Sequence, residues 1–132
     1  MSQPTLQRPG NAPEASALYL VLPVGENIRS YANGDIRLAH LNTFYEPAAG
    51  ASHVLVSVRS KDSPIFQGTL ISYGETVSFS EVDLMRASSR YDPKTGLNLQ
   101  IPVRVFDGQG FVDRTLEVNV DQSKPKVTSN VH

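Results

Sequence analysis

"IPVRVFDGQGFVDRTLEVNV", residues 101–120, is the stretch that decides the fold. Before its centre, Leu97, Leu99, Ile101, Val103 and Val105 alternate with Asn98, Gln100, Pro102 and Arg104. After it, Val112, Arg114, Leu116, Val118 and Val120 alternate with Asp113, Thr115, Glu117 and Asn119, Arg114 being the one polar residue on its face. A period of two over such lengths marks half-buried strands. Between the runs lies Asp107-Gly108-Gln109-Gly110. Both glycines can take positive φ, and an aspartate can accept a hydrogen bond from the backbone two residues on, which is the chemistry of a hairpin corner. A phosphate loop would need a helix after it, to aim N–H groups at the phosphate, and here a strand follows. A calcium site drawing on Asp107, Asp113 and Asp92 falls short of the roughly six to eight oxygens calcium takes. The knot reads as a corner.

The same alternation extends through the rest of the body. "ALYLVLPV" (17–24) places Leu18, Leu20, Leu22 and Val24 on one face, and Pro23 predicts that this strand ends at an edge or bulge. Asn33-Gly34-Asp35 supplies a tight reversal before a strand in "DIRLAHLNTF" (35–44). Pro47 and Gly50 break the chain. Val54, Val56 and Val58 then share a face, Asp62-Ser63-Pro64 turns, and "IFQGTLISY" (65–73) reads as a strand with a bulge at Gly68. In "SFSEVDLMRASS" (78–89), Ser80 with Asp83 three residues later resembles a capping box opening a short helix. About seven strands separated by turn signals predict an all-β, antiparallel sandwich of immunoglobulin-like type, with a jelly roll or small barrel as the alternative.

The segment "GETVSFSEVDL…SSRYDPKTGLNLQIPVRVFDGQGFVDRTLEVNV", residues 74–120, resembles the C-terminal half of bacterial cadherin-like and Ig-like repeats. The shared features are a V-x-F-S strand, a Tyr-x-Pro stretch, a V-x-D-G-x-G corner and a last strand of alternating valines. The resemblance implies a sandwich fold and a role in adhesion or structure, not catalysis. The acidic calcium-ligating motifs of true cadherins are not in the segment.

Twelve Lys plus Arg against thirteen Asp plus Glu give a net charge of −1, with the signs interspersed. Nucleic-acid binding lacks its basic footprint, and no polybasic run or long apolar span predicts membrane insertion. No cysteine is present, which excludes disulfides, thiolate zinc sites and cysteine nucleophiles. Residues 1–16 lack the charged start and apolar core of a conventional signal peptide, so any exit from the cell is expected by a non-Sec route.

Candidate chemistry is sparse. His40 shares a face with Ile36 and Leu38, His53 opens a strand, and His132 is terminal; none has the close histidine partner of a metal site. No Gly-x-Ser-x-Gly elbow is present, though a Ser-His-Asp set can meet in space from distant positions. Glu75 and Glu81 read as solvated rim charges. The expectation is no enzyme, no catalytic residue, no metal and no cofactor; a pocket holding His40 beside a carboxylate would argue otherwise. Tyr19, Tyr31, Tyr45, Tyr73 and Tyr91 are scattered in sequence and read mostly as core or edge residues with a wet hydroxyl, the sugar-stacking platform of a carbohydrate-binding sandwich being the alternative.

The ends carry the remaining signal. Residues 1–16, with Pro4, Pro9 and Pro13, and residues 121–132, with Pro125, read as an extended N-terminal arm and a C-terminal tail flanking a sandwich over 17–120. Such arms would lie along neighbouring copies of the chain or other structural subunits, with Leu6, Arg8 and Pro9 as contacts at one end and Lys124, Pro125, Lys126 and Val127 at the other. Sheet edges could add to a neighbour's sheet. The function expected is a non-enzymatic structural protein of a multi-subunit particle, a phage virion component such as a capsid decoration, stabilising or tail protein. The alternative is an extracellular adhesion or carbohydrate-binding module of cadherin-like type at the bacterial surface.

Overall fold

The computed structural model describes residues 2–44 and 50–132. Tyr45 and the Pro47 break lie outside the described residues. In chain order the elements are β1 (Gln3–Pro4), β2 (Leu6–Pro9), α1 (Val24–Asn27), β3 (Ile28–Tyr31), β4 (Ile36–Asn42), β5 (Ser52–Val58), β6 (Gln67–Ser72), β7 (Glu81–Val82), β8 (Ser88–Asp92), β9 (Gly96–Phe106), β10 (Phe111–Asp121) and β11 (Lys126–Val131). They form two antiparallel sheets, one ordered β3-β4-β5-β6-β2 and the other β7-β9-β10-β11-β1, with β8 also alongside β9. The protein is an all-β sandwich. Immunoglobulin-type sandwiches interleave their two sheets along the chain; here β3 to β6 fill one sheet before β7 to β11 build the other.

The β9–β10 hairpin pairs Phe106 with Phe111 and continues to Leu97 with Val120. Its corner forms as its residues require. The Asp107 carboxylate accepts from the N–H groups of Gln109 and Gly110, both at 2.9 Å, and Gly108 sits at φ 100°. Leu97, Leu99, Ile101, Val103 and Val105 are all buried, and across from them so are Leu116, Val118 and Val120. Arg114 holds the inward register but is exposed, as is Phe111, which packs its ring against Phe106 at 5.4 Å. The corner end of the hairpin therefore stands clear of the core. Val54, Val56 and Val58 of β5, with Ile36 and Leu38 of β4, supply the facing wall. The crossover between sheets is anchored by Phe79, fully buried and tilted against Tyr73.

Four sequence expectations change. Residues 17–24 are not a strand. Ala17–Tyr19 form a 3-10 turn, Leu20 makes one bridge to Leu41, the Leu22–Pro23 peptide is cis, and α1 follows. Pro23 offers no N–H to a ladder, so the segment leaves β4 after Val21 and rejoins it only where Ile28 pairs with Ala39. The expected helix near Ser80 is a 3-10 turn over Leu84–Arg86. Its cap is Asp83, whose side chain accepts from the Arg86 N–H at 3.2 Å, while Ser80 donates its own N–H to Arg104 of β9. Gly68 carries no bulge: β5 and β6 pair without interruption across it. Its missing side chain serves a close approach, since a Cβ on Gly10 would come within 2.7 Å of the Gly68 Cα.

The fourth change concerns the ends. Neither is a free arm. β1 pairs with β11 in one sheet, the chain crosses at Thr5, and β2 pairs with β6 in the other. At the crossing the Thr5 and Ser129 hydroxyls meet at 2.6 Å. β11 pairs with β10 from Val131–Leu116 to Lys126–Asp121. The sandwich thus draws on both terminal segments, whose backbone groups gain ladder partners that their weakly apolar side chains do not advertise. Because Gly10 lies against backbone, Gly10→Ala should push β2 off β6 and cost about 1–3 kcal/mol. Urea denaturation at neutral pH, compared with wild type, measures it, and a loss below a few tenths would contradict the packing described.

Candidate functional site

Each end of the sandwich holds a cleft. The first, of about 570 Å3, lies between the start of β5 and the projecting β9–β10 hairpin, with His40 and Ser52 in its lining. His40 is buried on β4, one strand from Ser52 on β5. Its Nδ1 lies 3.0 Å from Asn27 Oδ1 and its Nε2 2.8 Å from Ser52 Oγ. Asn27 donates its own amide to the Pro23 carbonyl at 3.0 Å, which turns Oδ1 toward the ring. The proton consequently sits on Nδ1, and Nε2 accepts the Ser52 hydroxyl. Asn42 donates to the same hydroxyl oxygen at 3.2 Å. The α1 excursion that interrupts the edge of β4 is what delivers Asn27.

Serine, histidine and asparagine thus stand in the order of nucleophile, base and orienting group. Burial works against that use. Ser52 is 1% exposed and its main chain is bonded in both directions to Phe79. Desolvation, and then the neighbouring His53, push the His40 pKa down to about 4, well below the near-neutral range suited to a general base. The carboxylates at the cleft rim do not reach the ring through any bond described: Asp113 pairs with Arg104 at 3.0 Å and Asp83 with Arg86 at 3.9 Å. This cluster holds α1, β4 and β5 together.

His53 belongs to a parallel set. Its Nδ1 lies 2.7 Å from the Ser72 hydroxyl, and Arg8 bonds Glu14 at 2.7 Å on the same side. Burial lowers the His53 pKa as well. Arg8, expected on a neighbour's surface, is therefore engaged within its own chain. Leu6 is half-buried in β2 and Pro9 exposed at its end. Lys124 pairs with Asp121 at 3.7 Å. Pro125 is half-buried before β11, Lys126 is exposed, and Val127 packs on the core. Glu75 and Glu81 are exposed and apart from both histidines' bonds, as rim charges.

The second cleft, of about 610 Å3, lies at the opposite end. Ile36, Leu97 and Val120 belong to its lining, and Tyr31, Tyr91, Lys61, Asp62 and Lys94 surround them. Tyr31 closes β3 against the core, whereas Tyr91 stands 70% exposed on β8. The wall is braced from behind. Arg59 bonds Asp35 at 2.6 and 3.0 Å, and Gln122 donates to both Asp35 and the Arg59 carbonyl. The Arg59 bond holds the Asp35 carboxyl below its usual range. Three turns are locked by these groups, so the cleft is preformed. The convergence of two tyrosines sixty residues apart was beyond sequence reasoning. Among the described residues no group of histidines and carboxylates could hold a metal ion.

A surface feature completes the survey. Leu18, Leu22, Val24 and Ile28 are exposed along the segment covering the edge of β4, with Phe44 at the end of β4. Met85, also exposed, belongs to the 3-10 turn beside α1. These are six of the nine large apolar residues exposed among the described residues, so the apolar surface is concentrated on one side.

The lowered pKa of His40 makes stability depend on pH. Folded His40 binds its proton only near pH 4, whereas the unfolded side chain does so near 6.5. Between those values the unfolded chain holds the extra proton, so this contribution is complete above pH 6.5 and is lost on acidification toward 4, by about 3 kcal/mol. Urea midpoints from pH 7.5 to 4 should fall accordingly, and His40→Gln should flatten the slope more than His53→Gln. A wild-type midpoint constant over that range would contradict the burial described. Comparison with protein-family models, with curated proteins and with solved structures finds no match to this chain.

Proposed function

We propose that the chain is a non-enzymatic assembly module, a structural subunit of a multi-subunit particle, and that its contact surface is the apolar edge formed by Leu18, Leu22, Val24, Ile28 and Phe44. The observation that carries this reading is the concentration of exposed apolar side chains beside an open strand edge. Isolated exposed apolar residues are ordinary, whereas a clustered patch marks an interaction site. The other sheet edges are blunted in familiar ways. β1 and β2 carry Pro4 and Pro9, β7 is two residues long, and β8 bears Arg90 and Asp92. β3, with the sequence Ile-Arg-Ser-Tyr, has neither proline nor carboxylate.

The occupant proposed is a second copy, joined edge to edge about a two-fold axis. A net charge of −1 leaves little repulsion between copies. A register centred on Ser30 sets Ser30 against its symmetry mate and Arg29 across from Tyr31, while one centred on Arg29 would oppose like charges. Sheet-edge contact was one of the two routes expected from sequence, and the pairing of the terminal segments inside the chain favours it over the arms. A decoration, stabilising or tail component of a phage virion is the kind of particle such a small, cysteine-free, charge-balanced sandwich suits.

Because the chain has no cysteine, a single Ser30→Cys variant tests the contact. Mild oxidation should yield a dimer of twice 14.4 kDa, since opposed residues of an antiparallel pair lie within disulfide reach. Gln109→Cys, at the exposed corner, should stay monomeric. Leu22→Asp should shift sedimentation of the uncrosslinked protein toward monomer. A wild-type chain that sediments as a monomer at about 100 μM, weaker than most specific interfaces, would overturn the reading.

A further inference from the structure

We infer that the tyrosine-lined cleft at the end opposite His40 is a binding site for a neutral carbohydrate, with Tyr91 as the stacking ring and Lys61, Asp62 and Lys94 as hydrogen-bonding partners. The inference rests on the cleft alone and stands whether or not copies of the chain associate. Four observations converge on it. The cleft, at about 610 Å3, is of the size that takes a small ligand. Tyr91, 70% exposed, offers an aromatic ring at the lip of the cleft. Tyr31 lines the same cleft as Tyr91, so two aromatic residues from distant parts of the chain meet there. Lys61, Asp62 and Lys94 line the same space, and none of the three is in an ion pair among the described residues.

A sugar ring matches that inventory. One face of a pyranose presents C–H groups, which lie against an aromatic ring, and its rim presents hydroxyls that both donate and accept. An adjacent ammonium and carboxylate, as in Lys61-Asp62, supply one donor and one acceptor set for neighbouring hydroxyls. Charges of both signs select against a strongly ionic ligand, and the apolar floor of Ile36, Leu97 and Val120 selects against a bare ion. The brace of Arg59, Asp35 and Gln122 behind the wall keeps the site in shape without ligand, which limits the ordering cost of a weakly held sugar.

The test is a glycan array of neutral oligosaccharides probed with the whole chain, followed by calorimetric titration of the best-captured oligosaccharide. Capture is expected, with Tyr91→Ala weakening binding about tenfold and Lys61→Ala severalfold. Both variants should keep the wild-type thermal midpoint closely enough to show an intact fold, Tyr91 being exposed. Should Tyr91→Ala prove unfolded, Lys94→Ala serves instead, with the same expected direction. Leu22→Asp, in the segment along the edge of β4 and outside this cleft, should bind the sugar as wild type does. No capture by the array, or capture indifferent to Tyr91, Lys61 and Lys94, overturns the assignment.

Discussion

The register of the β9–β10 hairpin is the constraint on which the rest of the molecule depends. A slip of one residue would turn Leu97, Leu99, Ile101, Val103 and Val105 to solvent and bring Asn98, Gln100 and Arg104 inward. One aspartate guards against that. Asp107 accepts two backbone N–H groups at the corner, which fixes where the chain reverses and so which residue faces which over the whole ladder. Those hydrogen bonds also hold the Asp107 carboxyl below its ordinary pKa. In this sheet β7 and β8 on one side and β11 on the other take their positions from β9 or β10, and β1 follows on β11.

The second sheet is organised by polar groups as much as by apolar ones. Ser52 is bonded to Phe79 through its main chain and to His40 and Asn42 through its hydroxyl. The crossover, β4 and α1 are consequently tied at one point. A buried network of this kind is costly if half satisfied and specifying if complete. Here both ring nitrogens of His40 are satisfied, and the helical excursion exists to deliver Asn27. The two ends of the sandwich differ in character for this reason: one cleft is backed by a hydrogen-bonded histidine, the other by a brace of Arg59, Asp35 and Gln122.

The sheets were legible in the sequence wherever side chains carried the signal. The alternation in residues 97–105 and 112–120, the valines of β5, the Asn33-Gly34 reversal and the Asp107 corner all report local chemistry, and all stand where expected. Legibility failed where the backbone decides. β1, β2 and β11 have weakly apolar side chains, and their ladder bonds leave no compositional trace. In residues 17–24 the pattern misled, because Leu18, Leu22 and Val24 alternate as a strand would but face solvent; Pro23 could not hold the ladder. Gly68 suggested a bulge, when the reason for it was Gly10, far away in sequence. The clefts were the least legible of all. Tyr31 with Tyr91, and Asn27 with His40 and Ser52, are brought together by topology, which pairwise spacing does not encode.

The pairing of β1 with β11 also has a mechanical meaning. Gln3 lies opposite Val131 in antiparallel register, so the two ends of the described chain leave the sandwich side by side at the same margin. Tension applied between them would load these ladder bonds one after another, as a zipper is opened, instead of all at once in shear. Beyond Thr5 the load would pass to β2, whose bonds to β6 lie in the other sheet. A pull on the ends would therefore first peel away the N-terminal segment that crosses between the two layers. The hairpin core, β9 with β10, would be untouched until that seam had opened.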